Sequence, residues 1–465
     1  MTSQHVFSFG EGTADGGNAD KLLLGGKGAG LAEMSRLGVP VPPGFTLSTE
    51  VCTWFQAHGA TYPEGMREEV EEHLALLERR MGRRFGDASN PLLVSVRSGA
   101  AISMPGMMDT ILNLGLNRQG VAGLEAAGAD PRWIRDCYRR LLQMYGDVVL
   151  EMGKERFEHA LAAERERQGA ATDADLTAAS LDGVIAAYEG ILVAAGKPFP
   201  QEPRAQLWGA IGAVFGSWNN RRAREYRRLH DISESLGTAV NVQAMVFGNR
   251  GPDCATGVAF TRNPATGEKR FYGEFLVNAQ GEDVVAGIRT PQSIEGDGQG
   301  TGLGKEFPLA YQQLHEVAAR LERHFRDMQD LEFTIEAGKL YLLQTRGGKR
   351  TGPAAVRIAV EMAEDGVLTP QEAVLRVEPE QLAQLLAPGF DADEKRRAVA
   401  GGRLLAKGLP AGPGAACGKI ALTAERATEM AQHGPVLLVR EETSPEDIVG
   451  MHASRGILTA RGGMT

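Results

Sequence analysis

Ser95-Val96-Arg97-Ser98-Gly99-Ala100-Ala101-Ile102-Ser103-Met104-Pro105-Gly106-Met107-Met108-Asp109-Thr110 is the stretch on which the reading of this chain turns. An arginine among small residues, followed by a methionine-rich turn, is poor material for the interior of a strand. It suits a backbone that comes close to phosphate oxygens: Arg97 supplies the charge, and Ser98-Gly99 let a ligand approach the main chain. On this reading Arg97 ends an apolar strand over 92–96. The run Met104-Pro105-Gly106-Met107-Met108 is a loop that either covers a ligand or fills a gap in the core, since methionine does both.

The chain has 465 residues, 43% hydrophobic and 23% charged, with 59 glycines and a net charge of −9. That length exceeds one ordinary core and predicts two or three globular domains. The acidic balance excludes a nucleic-acid binder, which needs clustered Lys and Arg, but not a nucleotide binder, which needs a few local cations. No run of 18 or more apolar residues exists, and Met1-Thr2-Ser3-Gln4-His5 lacks the basic and apolar regions of a secretion signal. No membrane partner is expected. The four cysteines, Cys52, Cys137, Cys254 and Cys417, lie far apart and read as buried thiols of a cytoplasmic protein.

Outward from 95–110, residues 20–50 read as a glycine loop, a short helix over 31–37 ended by Gly38, and a strand-like segment. Val70, Leu74, Leu77, Met81 and Phe85 recur at helical spacing over 66–85, and Ile134, Cys137, Leu141, Tyr145 and Val148 do so over 133–152. A helical stretch follows to about residue 230. Strands are expected over 239–247, 257–261 and 275–279, then a helix over 310–328 and a hairpin over 331–346. Composition shifts at Gly347-Gly348-Lys349-Arg350-Thr351-Gly352-Pro353. Helices follow to 400, with Thr369-Pro370-Gln371-Glu372 as a start signal, and then a second α/β piece with strands at 435–439 and 456–460.

Three segments carry candidate chemistry. In Gly25-Gly26-Lys27-Gly28-Ala29-Gly30, backbone N–H groups and one ammonium suit a polyphosphate, although the spacing is not that of a Walker loop. Arg140, in Tyr138-Arg139-Arg140, reads from composition as a surface charge. The hairpin offers two registers. A three-residue loop Glu336-Ala337-Gly338 with Gly338 left-handed gathers Asp330, Glu332, Gln344 and Arg346 on one face and Leu331, Phe333, Ile335, Tyr341 and Leu343 on the other. An even loop separates the carboxylates from Gln344 and turns Leu340 and Leu342 inward instead. In the first register the polar face holds two hard oxygen ligands and a guanidinium, a set suited to Mg²⁺ shared with phosphates. Further on, Ser444-Pro445-Glu446-Asp447 reads as a helix start, with Ser444 as its cap.

Read together, these segments resemble the pyruvate, phosphate dikinase family. The resemblance also rests on Gly237-Thr238-Ala239-Val240-Asn241-Val242-Gln243, Thr261-Arg262-Asn263-Pro264, Asn278-Ala279-Gln280-Gly281-Glu282-Asp283 and Arg461-Gly462-Gly463-Met464-Thr465. The Met-Pro-Gly-Met-Met-Asp-Thr run favours this family over the related pyruvate, water dikinases, while Ala101 stands where some members carry Arg. The resemblance implies an α/β (α+β) fold: an ATP-grasp nucleotide-binding domain over 1–349, a helical linker over 350–408, and over 409–465 the beginning of a swivelling phosphohistidine domain.

It further implies that ATP and inorganic phosphate yield AMP and pyrophosphate through a phosphohistidine, which then converts pyruvate to phosphoenolpyruvate in a distant barrel. Lys27, Arg97, Arg140 and Arg346 match the family's nucleotide- and phosphate-contacting cations. Glu332 and Gln344 match its metal or nucleotide ligands, with Mg²⁺ as the metal, and Asp330 matches a neighbouring carboxylate. The family motif continues Gly-Gly-Met-Thr-Ser-His, so the phosphoryl-carrying histidine is expected two residues beyond Thr465, and Thr465 itself matches a regulatory phosphosite. His452 falls in the helix expected after Ser444 and is no substitute carrier. A split or truncated dikinase is the expectation, with histidine and pyruvate domains supplied in cis or trans and any homodimer formed through them. The alternatives are a stand-alone ATP-binding or ATPase module and a pyruvate, water dikinase relative.

Overall fold

The computed structural model describes residues 4–104, 106–285, 291–296, 302–385, 389–408 and 414–460. The segment 461–465, with the candidate phosphosite Thr465, lies outside the described residues. The fold is mixed α/β with several sheets, and the chain divides into two compact units, Met1–Arg250 with Tyr341–Gln344 and Gly251–Leu340 with Thr345–Thr465.

In the first unit an antiparallel sheet takes its strands in the order Thr13–Ala14, Val6–Gly10, Gly44–Leu47, Thr238–Ala244, Val94–Ala100, Thr110–Leu114. Arg97 is therefore not strand-terminal as expected. It sits mid-strand in Val94–Ala100, opposite Asn241 on one side and Thr110 on the other. Ser98, Gly99 and Ala100 continue the strand because their small side chains leave room for a helix above them. Val96, Val240, Val242, Phe45 and Leu47, all 0% exposed, alternate with the polar residues and supply the apolar core. The helix Pro203–Ser217 packs against three of these strands.

The glycine segment read as a loop is helix. Lys21–Arg36 is helical throughout apart from a kink at Gly25, whose φ of 68° and ψ of 169° only glycine adopts readily. A Cβ at Gly25 would lie 1.5 Å from the Gly99 carbonyl oxygen, and one at Gly28 would lie 2.8 Å from the Thr46 methyl. Glycine is costly inside a helix; here it lets the helix backbone lie directly on the sheet. Gly38 ends the helix as expected: at φ 69° its N–H donates to Ser35 O (2.9 Å), and Val39 N–H donates to Met34 O (3.0 Å).

Met66–Met81 forms the amphipathic helix and buries Val70, Leu74 and Leu77, but left-handed Gly82 ends it before Phe85, which lies in the short strand Arg84–Phe85 and not on the helix as expected. Pro131–Met144 is shorter than expected, because it passes into a π-helical turn at Tyr145–Val149. It packs on the edge strand Thr110–Leu114, where Asn113 Nδ2 donates to Cys137 O (3.1 Å). Within it, Asp136 accepts from Arg140 Nε (3.0 Å) and pairs with Arg139. Burial alone would raise the Asp136 carboxyl, but the two guanidinium groups outweigh it and hold it well below the usual carboxylate range.

In the second unit the sheet order is Gln292–Ser293, Tyr272–Val277, Ala255–Phe260, Gln329–Glu336, Lys339–Gly347. Leu331, Phe333 and Ile335 are 0% exposed, as expected. The hairpin turn has two residues, not three: Ala337 (φ 48°) and Gly338 (φ 75°) are both left-handed. Contacts from outside the hairpin hold Ala337 there, Ala337 N–H donating to Cys254 Sγ (3.3 Å) and Gly338 N–H to Asp253 O (2.9 Å). Leu340 and Leu342 accordingly turn inward, at 1% and 0% exposure, in place of Tyr341 and Leu343. At the open end the contacts change parity. Arg346 Nε donates to Asp330 Oδ2 (2.6 Å), and Thr345 Oγ1 to Gln329 Oε1 (2.9 Å). The alternation of burial breaks between, at Gln344-Thr345, both buried, as a one-residue irregularity would produce.

Beyond the hairpin, Gly352–Glu364 and Pro370–Leu375 share a core with Phe260 and Met328. The helix starts where expected, after Thr369, which forms a capping box with Glu372. A smaller parallel sheet, Lys419–Ala421, Val436–Arg440 and Gly456–Thr459, packs on Ala424–Ala431 around Ala427 and Leu438. Ser444 caps the turn Pro445–Asp447, and His452 lies in the helix Ile448–Ala453 that follows. Cys52, Cys137 and Cys254 are buried thiols, but Cys417 is exposed, contrary to expectation, just before the edge strand of this small sheet.

Two substitutions test this packing. Gly25→Ala meets both a left-handed backbone and the Gly99 carbonyl, and should cost about 3 kcal/mol or more in urea unfolding; a loss below about 0.5 kcal/mol would contradict the close approach. Asp136→Asn should cost about 3–5 kcal/mol at neutral pH by stranding two arginines. Because the folded-state value of Asp136 is depressed, its contribution is present above 3.8 and lost as pH falls below it. The wild-type advantage over Asp136→Asn should therefore shrink on acidification, and an advantage that grew would contradict the pairing.

Candidate functional site

Paired residues of an antiparallel sheet share a face, so Thr46, Asn241, Arg97 and Thr110 form one cross-strand row. The kinked helix Lys21–Arg36 lies over that row: a Cβ on Gly28 would come within 3.0 Å of Asn241 Oδ1. Asn241, 0% exposed, is held by Thr46 Oγ1, which donates to its Oδ1 (2.9 Å), while its Nδ2 donates to Arg97 O (3.4 Å). A Cβ on Gly99 would meet Asn241 Nδ2 at 2.6 Å and the Lys27 Cβ at 3.4 Å. Lys27 and Arg97, both half-buried, thus stand on adjoining ground, one from the helix and one from the strand. The helix resumes directly after the kink at Gly25, so its new first turn is the one that carries Lys27. Two cations and a helix start make a place for a polyanion.

Arg140 does not fit its reading as a surface charge. Its side chain is 13% exposed and paired to Asp136, and its helix packs on the strand holding Thr110, the partner of Arg97. The methionine loop fills a gap in the core with part of its length and leaves the rest exposed. Met104 and Met107 are each 5% exposed and packed, whereas Ile102 is 46% exposed, and Ser103 and Gly106 face solvent. Pro105 lies outside the described residues. Met107 N–H donates to Met104 O (3.2 Å), closing the turn.

On the hairpin, Asp330 and Glu332 lie opposite Phe260 and Val258. Burial raises the Asp330 carboxyl, Arg346 opposes that, and the nearby negative charge of Glu332 adds to it. Arg346 is raised above its usual range: burial works against its charge, but Asp330 and then Glu332 favour it. Asp330, Glu332 and Arg346 therefore lie together, although the three-residue loop of the first register is not formed. Gln344 is 7% exposed at the irregularity. Among the described residues no group of three or more His, Cys, Asp or Glu side chains is placed to hold a metal ion. A cation on this face would draw most of its ligands from phosphate and water, which is the habit of Mg²⁺.

Asn241 and Thr238, whose Oγ1 accepts from Gly99 N–H (3.1 Å), received no role from the sequence. The signal was there: Asn241 and Gln243 alternate with Val240 and Val242, a polar face on a strand buried on both sides.

The chain matches the family described as pyruvate phosphate dikinase, AMP/ATP-binding domain, over residues 21–64, 59–306 and 309–366. It also matches the PEP-utilising enzyme, mobile domain, over 432–465. It is 55% identical over 468 residues to pyruvate, phosphate dikinase of Rhizobium meliloti (strain 1021) and 53% over 463 to that of Clostridium symbiosum. It is 52% identical over 467 residues to pyruvate, phosphate dikinase 1, chloroplastic, of Arabidopsis thaliana. These alignments cover 99%, 99% and 100% of this chain but 51%, 51% and 47% of the relatives. The chain spans about half the length of the curated relatives it matches. With its family model covering most of the sequence, the chain belongs to the pyruvate phosphate dikinase AMP/ATP-binding domain family.

Proposed function

We propose that this chain is the ATP-binding portion of a pyruvate, phosphate dikinase, with an ATP-grasp domain over 1–349, a helical linker over 350–408 and the start of a phosphohistidine domain over 409–465. Lys27, Arg97 and Arg140 act as phosphate-binding cations, and Asp330, Glu332, Gln344 and Arg346 as the metal- and nucleotide-binding face. The observation that carries the reading is the placing of Lys27 and Arg97 around Asn241, beneath a helix that glycine allows onto the sheet. Such fixed cations stabilise charge on a transferring phosphoryl group without having to reorganise.

Glu332 and Gln344, on neighbouring strands of one hairpin, supply oxygen donors suited to Mg²⁺. When bound, the ion would neutralise phosphate charge and polarise the phosphoryl group. Asp330 is engaged by Arg346, so its service is to hold that guanidinium in place. In the complete reaction, ATP, phosphate and pyruvate give AMP, pyrophosphate and phosphoenolpyruvate by way of the histidine of the phosphohistidine domain. No helix among the described residues is long and apolar enough to cross a membrane.

Calorimetry with Mg-ATP tests the cation set. Lys27→Ala and Arg97→Ala should each weaken binding by about 1–3 kcal/mol, the worth of a charge-assisted hydrogen bond. Unchanged affinity in both variants would remove them from the site. For the metal face, Glu332→Gln should abolish the gain in ATP affinity that Mg²⁺ gives the wild type, while changing stability by less than about 1 kcal/mol. An intact Mg²⁺ dependence, or a large loss of stability, would assign Glu332 to the sheet instead.

A further inference from the structure

The methionine loop is gripped from outside by one helix start. Asn220 caps the helix Arg221–Leu229: its Oδ1 accepts from Ala223 N–H (2.7 Å), while its Nδ2 donates to the Met107 carbonyl (3.1 Å). Arg222, in the first helical turn, donates from Nε to the same carbonyl (3.2 Å) and pairs through its terminal nitrogen with Asp109. One carbonyl thus receives two donors, and the carboxylate two residues on is tied to the same arginine. Arg221 and Arg222 occupy the N-terminal turn of a helix with no acidic residue in that turn, where the dipole disfavours cations. A residue held against that preference, with every donor just described aimed at one loop, is placed for the loop rather than for its own helix.

We infer that Asn220 and Arg222 are positioning residues that fix the loop at Met107 and Asp109, and so set how the segment after Arg97 meets nucleotide phosphates. From the other side Met104 and Met107 are planted in the core, so the loop is restrained at both its side chains and its main chain. Asp147, in the π-helical turn, stands in the field of the same pair: burial raises its carboxyl first, Asp109 raises it further, and Lys154 and Arg222 oppose. The link to nucleotide rests on the ATP-binding reading above; the clamp does not.

Asn220→Asp separates the two jobs of Asn220, because aspartate caps a helix as well as asparagine does but offers the Met107 carbonyl no donor. Arg222→Gln removes the other half. Amide hydrogen exchange over 106–110 and calorimetry with Mg-ATP should be measured on both variants of the full chain. The expected result is exchange over 106–110 faster by about tenfold or more, with Mg-ATP bound about five- to twentyfold more weakly, and exchange elsewhere unchanged. Unaltered exchange over 106–110 in Asn220→Asp overturns the clamp, and that variant decides alone if Arg222→Gln does not fold. Faster exchange with unaltered Mg-ATP affinity overturns the positioning of the loop for nucleotide. Wild-type chain that binds no Mg-ATP contradicts the ATP-binding reading, and the exchange measurement still decides the clamp.

Discussion

The contact of helix backbone with sheet backbone at Gly25 and Gly99 is the constraint on which the first unit depends. With no Cβ between them, the helix carrying Lys27 settles onto the strand carrying Arg97, and Asn241 fills the remaining space with hydrogen bonds to both neighbouring strands. A larger residue at Gly25, Gly28 or Gly99 would lift the helix, separate the two cations and leave the Asn241 amide without its fit. The glycines that signalled a phosphate loop in the sequence work first as packing residues. Their effect on a polyanion follows from where that packing puts the helix start.

Charge inside the molecule is managed by pairing. Asp136 answers two arginines, Asp330 answers Arg346, and Arg262, 1% exposed, bonds Glu322 (3.1 Å) and Glu361 (2.7 Å) on two different helices. Removing one partner from such a group strands the other, so these pairs fix geometry more than they add net stability. Arg140 and Arg346 are oriented by a carboxylate, which sets where a guanidinium points before any ligand arrives.

Much of this was legible in the sequence. Alternation marked the strands at 238–244, 255–260 and 329–336, Gly38 and Thr369 marked helix ends, and the motifs marked the family. The misreadings share one cause, which is that a tertiary contact overrode a local preference. Glycine disfavours helix, yet the sheet beneath Gly25–Gly30 rewards it. Ala337 disfavours a left-handed turn, yet Cys254 and Asp253 accept the N–H groups that this turn presents. Arg97 looked like a strand end because nothing local showed that strands would flank it on both sides. Arg140 was recoverable, since Asp136 stands four residues before it, the spacing of a helical ion pair. The clamp of Asn220 and Arg222 on Met107 was not, because more than a hundred residues separate its halves.

A crystal structure of this chain with Mg²⁺ and a non-hydrolysable ATP analogue would show whether Lys27 and Arg97 hold the phosphates. Phosphate oxygens are expected within about 2.7–3.2 Å of Lys27 Nζ and of the Arg97 guanidinium, with the helix still seated on Gly99. An analogue bound with its phosphates out of hydrogen-bond reach of both side chains would contradict that expectation.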